Sequence, residues 1–248
     1  MTERSTTQQR VALVTGSSSG IGAAIARRLA GDDFAVVVNS RSSVEAGQAV
    51  AAELGGSYLQ ADVADEVAAR ELIAQVLERH GRLDVLVNNA GTTEIVAHAD
   101  LAGATPEIWR RLYDVNVIAP FVLVTAAEPA LRAAKGCVVN ITSLAGVKQL
   151  GSSIPYAASK AACNHQTRLL AKALGPEIRV NAVAPGLVDT PWTVGDYWDE
   201  MRTVVDAIAP LRRSATPGDV AEAVLFLVRS SYVTGQVVVV DGGLGLLP

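Results

Sequence analysis

Tyr156 and Lys160 are the two side chains in this sequence best placed to do chemistry together. They stand four residues apart in a stretch of helical period, so both lie on one helix face. A tyrosine hydroxyl titrates near pH 10 in ordinary surroundings, and a neighbouring ammonium group favours its phenolate and so makes proton exchange accessible at neutral pH. The pair could therefore exchange a proton with a carbonyl or alcohol oxygen. Taken alone, however, the same spacing is more typical of a surface pair.

A glycine-rich turn near the start of the sequence is a second motif that could take part in the same chemistry. Residues 15–22 read Thr-Gly-Ser-Ser-Ser-Gly-Ile-Gly, follow an apolar strand-like run directly and open a predicted helix. Glycines let the backbone approach a pyrophosphate closely, and the free N–H groups of a helix N-terminus attract it. Because strand, turn and helix come in this order, the segment predicts a dinucleotide-binding turn. The alternative is an ordinary connection between a strand and a helix.

The elements that must position these residues are visible as a repeated pattern. Short runs rich in Val and Ile alternate with longer Ala- and Leu-rich segments of helical period, which is typical of βαβ units. Right-handed crossovers place the helices on both faces of one sheet. The sequence therefore predicts an α/β protein, a single Rossmann-type doubly wound domain over residues 1–248 with a seven-stranded parallel sheet. The predicted strands cover residues 11–15, 35–40, 57–62, 83–88, 137–142, 179–184 and 236–240, and the predicted helices lie near residues 20–31, 43–54, 65–80, 105–134, 155–174 and 217–229.

Residues 187–211 interrupt this alternation. The segment carries Trp192, Tyr197 and Trp198 and follows a strand end, on the side where doubly wound sheets bind ligands. We interpret it as a substrate-covering lid. The alternative is a short extra helix that packs its aromatic side chains on the core. As a lid, the segment favours an apolar or ring-shaped substrate over a simple sugar.

Charge and composition exclude several other classes of protein. A net charge of -4 gives no reason to expect nucleic-acid or anionic-membrane binding, since both need a concentrated basic face. Cys137 and Cys163 are too few for a disulfide framework, and neither they nor the three histidines have metal-ligand spacing. The apolar stretch 117–127 is shorter than the roughly 20 residues that span a bilayer, and the polar residues 1–10 lack a secretion signal. We expect a cytoplasmic protein without a metal site.

The spacing Gly-x3-Gly-x-Gly, preceded by Thr, resembles the short-chain dehydrogenase/reductase family. The resemblance extends over practically the full length, and it implies an oxidoreductase that moves a hydride between a nicotinamide cofactor and a carbonyl or secondary alcohol. The ordered set of further landmarks makes chance negligible; it comprises Asp62-Val63, Asn88-Asn89-Ala90-Gly91, Asn116, Ser143, Tyr156-x3-Lys160, Pro185-Gly186 and Asp241-Gly242-Gly243.

The resemblance implies four catalytic residues. Tyr156 is the general acid and base, and Lys160 supports its phenolate and binds the nicotinamide ribose. Ser143 holds the substrate oxygen, and Asn116 holds a water that links the lysine to solvent. Because all four positions carry the family's residues, we expect an active enzyme.

The resemblance also implies a series of cofactor contacts at the strand ends. In addition to Tyr156 and Lys160, these are Gly16, Ser19, Gly20, Ile21 and Gly22 at the pyrophosphate, Asp62 and Val63 at the adenine, Asn89, Ala90 and Gly91 at the adenosine ribose, and Pro185, Gly186, Val188 and Thr190 at the nicotinamide. For Asp62, capping of the following turn is the alternative.

Cofactor choice depends on the end of the second strand. NAD sites usually carry Asp or Glu about 20 residues beyond the glycines. Here the sequence is Asn-Ser-Arg, so Ser40 can donate a hydrogen bond to a 2′-phosphate and Arg41 can pair with it. We predict a preference for NADP(H), with NAD(H) possible. The alternative is that Arg41 is a solvated surface charge.

The resulting prediction is hydride transfer between NADP(H) and a small-molecule carbonyl or secondary alcohol. The chain resembles the branch of 3-oxoacyl-thioester reductases and glucose dehydrogenases, which the sequence alone does not separate. The alternatives are an NAD-linked sugar or alcohol dehydrogenase and a non-enzymatic dinucleotide-sensing protein on the same fold. The resemblance further implies a homotetramer or homodimer, assembled through the helices of Asn116 and Tyr156 and the C-terminal region.

Overall fold

The Val- and Ile-rich runs form the strands of one parallel sheet. The computed structural model describes residues 9–247. Numbered in chain order, the strands are β1 Arg10–Val14, β2 Phe34–Ser40, β3 Ser57–Gln60, β4 Val85–Asn88, β5 Cys137–Ile141, β6 Arg179–Pro185 and β7 Val237–Val240.

The strands lie in the order β3-β2-β1-β4-β5-β6-β7, and all are parallel. From β1 the chain proceeds outward to β3, then returns to place β4 on the other side of β1 and continues to β7. At such a reversal, neighbouring connections leave in opposite directions and open a crevice at the carboxyl ends of the strands. The predicted seven-stranded, doubly wound α/β fold is confirmed.

The helices cover both faces of this sheet. They are α1 Gly20–Ala30, α2 Val44–Glu53, α3 Glu66–His80, α4 Pro106–Tyr113, α5 Ala119–Ala134, α6 Ile154–Leu174, α7 Asp196–Ile208 and α8 Pro217–Arg229. Short 3₁₀ turns follow β5 at Leu144–Gly146 and β7 at Leu244–Leu246.

Alternation along the strands divides the core into two layers. Ala12 and Val14 of β1 pack with α1 and α8 on one face, while Val11 and Leu13 pack with α3 and α5 on the other. Successive side chains of a strand point to opposite faces, so a strand that is apolar throughout must be covered on both sides.

The predicted helix over residues 105–134 is divided in the structure. A π-helical turn, Asp114–Ile118, separates α4 from α5 and contains the buried Asn116. Such a turn accommodates an extra residue, and it recurs at functional sites. The hydrophobic period does not mark it, because the same side of the segment stays apolar before and after it.

The same segment, Pro106–Ala134, is the one stretch of residues 9–247 that is long and apolar enough to cross a membrane by length and composition. Many of the apolar side chains of this segment are buried in the core of the domain. Leu112, Leu123, Ala127 and Leu131 are fully buried or nearly so, and the last three pack in the core layer formed with α3. Burial in the core therefore explains part of the apolar composition, while Ile118 and Phe121 of the same segment are exposed.

Candidate active site

A cleft of about 1420 Å³ opens at the carboxyl edge of the sheet. The glycine turn forms one end, α7 borders the other, and the loop after β4 lies between them. The residues predicted to bind the cofactor all line this cleft, as do three of the four predicted catalytic residues: Gly16, Ser19, Gly20, Ile21, Gly22, Ser40, Arg41, Asp62, Val63, Asn89, Ala90, Gly91, Ser143, Tyr156, Lys160, Pro185, Gly186, Val188 and Thr190.

Two positions of the glycine turn admit no side chain. Gly16 has a φ of +61°, and a Cβ there would lie 2.9 Å from the Cα of Ala90. A Cβ on Gly22 would lie 2.4 Å from the carbonyl oxygen of Gly16. Ser19 precedes α1 without capping it through its side chain, so the first N–H groups of this 11-residue helix remain available to an anion.

Thr15 and Asn89 join the glycine turn to the loop after β4. The Thr15 hydroxyl oxygen accepts from the N–H groups of Asn89 at 3.1 Å and Ala90 at 3.0 Å. In return, the Asn89 amide donates to the carbonyl oxygens of Thr15 at 2.8 Å and Gly16 at 2.9 Å. The two loops therefore form one hydrogen-bonded unit before any ligand arrives.

Asn39 extends this network to β2 and β3. Its Oδ1 accepts from the N–H of Gly16 at 3.3 Å, and its Nδ2 donates to the carbonyl oxygens of Leu59 at 3.1 Å and Ala61 at 3.2 Å. Neither Thr15 nor Asn39 was predicted from the sequence as a site residue. The sequence feature that could have identified them is a polar side chain at the end of an apolar strand. A buried polar group there needs a hydrogen-bond partner, because leaving it unpaired costs free energy.

Ser40 and Arg41 differ in how they face the cleft. Ser40 is 5% exposed, and its hydroxyl is engaged by the Ser43 carbonyl oxygen at 3.1 Å and the Tyr58 hydroxyl at 2.8 Å. The Arg41 side chain is 70% exposed and lies 3.9 Å from Asp62. Arg41 is therefore the accessible cation at this end. Asp62 also accepts from the N–H of Ala64 at 3.0 Å, as the turn-capping alternative expects.

The Tyr156 and Lys160 pair lies in the first two turns of α6. The hydroxyl of Ser153 caps this helix by accepting from the N–H of Tyr156 at 3.3 Å. Lys160 is 5% exposed, and its Nζ donates to the carbonyl oxygen of Ile141 at 3.1 Å and lies 5.8 Å from the centre of the tyrosine ring. The structure thus places a buried ammonium group beside a partly exposed tyrosine.

Ser143 follows β5 and lines the same cleft. Its hydroxyl caps the 3₁₀ turn by accepting from the N–H of Ala145 at 3.1 Å, so its own proton remains available to a ligand. The turn packs closely on α6, since a Cβ at Gly146 would lie 2.6 Å from the backbone of Lys160. This packing fixes Ser143 relative to α6 and therefore relative to Tyr156 and Lys160.

Asn116 lies behind the cleft and does not line it. Its Oδ1 accepts from the N–H of Thr92 at 3.0 Å, and its Nδ2 donates to the Thr92 carbonyl oxygen at 2.9 Å and to the Ser159 hydroxyl at 3.0 Å. Ser159 in turn donates to the carbonyl oxygen of Tyr156 at 2.7 Å. The asparagine side chain therefore holds the loop after β4 against α6.

Helix α7 forms the apolar wall of the substrate end. Tyr197 and Trp198 meet edge to face with ring centres 4.9 Å apart, and Trp192 lies just before the helix. The α7 residues that line the cleft recur at helical spacing, which places them on one face: Tyr197, Trp198, Met201, Val204, Val205 and Ile208. The segment is thus a short helix bordering the cleft, and Val205 is its one buried apolar residue.

Arg202 connects α7 to the turn that follows β6. It donates to Asp189 Oδ1 at 3.0 Å, to the carbonyl oxygen of Thr193 at 3.1 Å and to Asp199 Oδ1 at 2.7 Å. The same turn carries Thr190, which would be 3.5 Å from a Cβ at Gly20. The arginine therefore links the glycine-turn end of the cleft to the apolar wall.

The cysteines lie outside this chemistry. Burial raises the pKa of the Cys137 thiol to about 11 and also raises the pKa of Cys163, and neither residue lines the cleft. Within residues 9–247, no group of three His, Cys, Asp or Glu side chains is placed to hold a metal ion.

The chain is similar over nearly its full length to several reductases. The family model described as enoyl-(acyl carrier protein) reductase matches residues 16–245. "Granaticin polyketide synthase putative ketoacyl reductase 2" of Streptomyces violaceoruber is 55% identical over 240 residues, with 96% of each chain covered. The 3-oxoacyl-[acyl-carrier-protein] reductase of Thermotoga maritima is 36% identical, covering 95% of this chain and 97% of the relative.

A solved structure extends this likeness to the whole fold. The crystal structure of a "putative short-chain dehydrogenase/reductase" from Burkholderia xenovorans aligns with a TM-score of 0.90 at 37% identity, covering 97% of this chain and 100% of that one. Members of this family use NAD(P)(H). The chain belongs to the short-chain dehydrogenase/reductase family and is an oxidoreductase.

Proposed function

We propose that the protein reduces a ketone to a secondary alcohol with NADPH and catalyses the reverse oxidation when the alcohol is supplied. The proposal rests above all on the buried ammonium group of Lys160 beside Tyr156 in a cleft that begins at a glycine turn. Ser143 faces the same cleft. A proton donor, a cation and a dinucleotide cradle in one cleft are what carbonyl reduction requires.

The cofactor end fits a dinucleotide. Gly16, Gly22 and the uncapped start of α1 would hold the pyrophosphate, and Arg41 would meet a 2′-phosphate. Val188 is buried and Thr190 is 9% exposed, so both are fixed at the end where the nicotinamide would lie. Bound there, NADPH supplies the hydride that the carbonyl carbon accepts.

The side chains of the protein supply the proton that the reduction needs. As the carbonyl carbon gains the hydride, its oxygen becomes an alkoxide, and the Tyr156 hydroxyl donates a proton to it. Lys160 stabilises the tyrosinate that remains, and the Ser143 hydroxyl donates a hydrogen bond to the same oxygen. The tyrosine then regains a proton from solvent, so one ketone, one NADPH and one proton give one alcohol and NADP⁺.

The substrate end favours a ketone with a long apolar or ring-shaped body. The cleft is large, and α7 presents Tyr197, Trp198 and Met201 to it. Two relatives are named as ketoacyl or 3-oxoacyl reductases. A ketoacyl chain therefore fits better than a sugar, whose many hydroxyls would face apolar side chains. Residues 187–211 act as the substrate-covering lid in this proposal.

NADPH oxidation by the purified protein, measured against ketoacyl thioesters, simple ketones and sugar lactones, tests the function. We expect turnover of ketones, and a loss of about 10²–10⁴-fold in kcat for Tyr156→Phe, since that is the usual contribution of a positioned acid. Fluorescence titration with NADPH supplies the control, because the variant should still bind the cofactor. Binding without turnover across the panel would instead support the dinucleotide sensor.

Assembly and location complete the proposal. Exposed apolar side chains are available for assembly: Phe121 on α5, Leu169 on α6, Val239 on the outer strand β7, and Leu246 after that strand. Two separate self-associating faces give a homotetramer, and one gives a homodimer. We place this enzyme in the cytoplasm, acting on a small molecule, with no nucleic-acid or membrane partner.

A further inference from the structure

Two hydroxyl groups in the cleft are not used by the proposed reaction. Thr93, in the loop after β4, and Ser152, just before α6, both line the cleft, and their hydroxyl oxygens are in direct hydrogen-bond contact. Ser152 is 7% exposed, so this contact is largely shielded from bulk water. The pair therefore needs an explanation beyond ordinary surface polarity.

The proton inventory leaves one donor free. Each hydroxyl carries one proton, and the bond between Thr93 and Ser152 uses one of the two, whichever residue donates. Across residues 9–247, neither hydroxyl has a further hydrogen-bond partner. The second proton remains available to an acceptor that enters the cleft.

The backbone around the pair is held firmly. The N–H of Val96 donates to the carbonyl oxygen of Ser152 at 2.9 Å, and His98 Nε2 lies 3.1 Å from the carbonyl oxygen of Gly151. These bonds join the loop after β4 to the loop that enters α6. A donor fixed on two joined loops discriminates between ligands better than one on a flexible side chain, because little ordering is needed.

The position of the pair defines which oxygen it would bind. Ser152 stands between Gly151, where an added Cβ would lie 3.6 Å from the Tyr156 ring, and Ser153, whose hydroxyl caps the helix of Tyr156, so the pair lies on the same side of the cleft as the proposed proton donor. The α7 wall of the cleft is apolar. A second polar group of the substrate would face away from α7, toward the side of the cleft that carries Thr93 and Ser152.

We propose that the Thr93–Ser152 hydroxyl pair binds a second carbonyl oxygen of the substrate and so selects 3-oxoacyl compounds over isolated ketones. This inference rests on the proposed ketone reductase activity and names its substrate class. In a 3-oxoacyl group, one carbon separates the two carbonyls, which matches two donor sites close together. The ketone oxygen meets Ser143 and Tyr156, and the acyl oxygen meets the hydroxyl pair.

The test compares three ketones of equal length: a 3-oxoacyl N-acetylcysteamine thioester, its 4-oxo isomer and a methyl ketone without a second carbonyl. Because either hydroxyl alone retains a proton to donate, the informative variant is the double change Thr93→Val with Ser152→Ala. We expect its kcat/KM to fall about tenfold on the 3-oxo thioester and less than about twofold on the other two. Differences in intrinsic reactivity between the ketones cancel, because the kcat/KM of each ketone is compared between the wild-type enzyme and the double variant.

Ser57→Ala is the matched control, since this hydroxyl bonds His80 Nε2 at the start of β3, at the opposite end of the strand from the cleft. The control should leave all three kcat/KM values unchanged. An equal loss on all three substrates in the double variant would overturn the inference and show a structural role, and so would a loss on the 4-oxo isomer as large as on the 3-oxo thioester. Absence of turnover by the wild-type protein on any ketone would refute the proposed function itself.

Discussion

Arg41 is the residue on which the proposed cofactor preference now depends. The hydroxyl of Ser40 is engaged by Ser43 and Tyr58, whereas the guanidinium group of Arg41 is largely exposed. Its ion pair with Asp62 is long, at 3.9 Å, and the Asp62 side chain is itself 42% exposed. Such a pair contributes little, so the arginine can exchange it for a phosphate at small cost.

We predict that Arg41→Ala raises the KM for NADPH by about 10- to 100-fold and leaves the KM for NADH within about twofold. The reason is that only NADPH carries the 2′-phosphate with which a charged, bidentate contact forms. Steady-state kinetics with both cofactors measure this, and Arg70→Ala on the exposed side of α3 is the control. Unchanged NADPH kinetics together with a preference for NADH would favour the NAD-linked alternative.

Residue types and spacing were sufficient to place the predicted cofactor-binding residues and three of the four predicted catalytic residues on one cleft, because most of them follow a strand end. They were not sufficient to assign the partners of each side chain. Ser40 bonds Tyr58 across the β2–β3 pair, and Thr15 bonds the loop after β4 more than 70 positions along the chain. Contacts of this kind depend on strand order, which no local pattern contains.

Helix α7 is the element whose position depends most on one side chain. It buries Val205 alone among its residues, while Arg202 ties it to Asp189 and Thr193. An element with few buried apolar contacts opens at low free-energy cost. The bonds of Arg202 therefore contribute strongly to holding α7 at the border of the cleft.

We predict that Arg202→Gln raises the KM for the ketone by about 5- to 20-fold, leaves NADPH affinity within about threefold and speeds amide hydrogen exchange in α7. Loss of charge-assisted hydrogen bonds frees the helix without altering the glycine turn. Steady-state kinetics and hydrogen-exchange mass spectrometry report the two effects. Arg110→Gln removes an exposed pair with Glu107 on α4 and should change neither. Unaltered exchange in α7 would contradict the proposed function of Arg202.

Whether a segment forms a strand or a helix was easier to predict than where a helix is interrupted. The strands and helices on the sheet were found, because a fully covered parallel strand is apolar throughout and its crossover helix is not. The π-helical turn at Asp114–Ile118 was missed, since nothing in the period of the apolar residues breaks there. The turn contains Asn116, whose side-chain amide forms tertiary hydrogen bonds with both Thr92 and Ser159.

At the scale of the whole molecule, the proposed assembly depends on exposed apolar side chains. Phe121 is 48% exposed, Leu169 is 56% exposed and Leu246 is 84% exposed. Leu246 comes shortly after β7 in the chain, and the outer edge of β7 has no neighbouring strand in the sheet. Exposed apolar side chains and an uncovered sheet edge are both typical of contacts between subunits.

We predict that the protein sediments at about four times its chain mass of 25.8 kDa and that Leu169→Glu reduces this to a dimer. A charge buried in a self-complementary face meets its own copy, which makes association unfavourable. Analytical ultracentrifugation measures the mass, and Val67→Glu on the exposed side of α3 is the control. A wild-type monomer at working concentration would refute the proposed assembly.

The polar network of Thr15, Asn39 and Asn89 has a consequence for how this enzyme could acquire new substrates. These bonds run between backbone and side chains at the ends of four strands, so the glycine-turn half of the cleft is rigid whatever the other half contains. The facing half consists of α7, the loop that enters α6 and the part of the loop after β4 that lies beyond Ala90, where exchanges of side chain leave these bonds in place. Mutational drift in the loops and α7 can therefore redirect the chemistry toward a different ketone, while the machinery that delivers hydride is inherited without change.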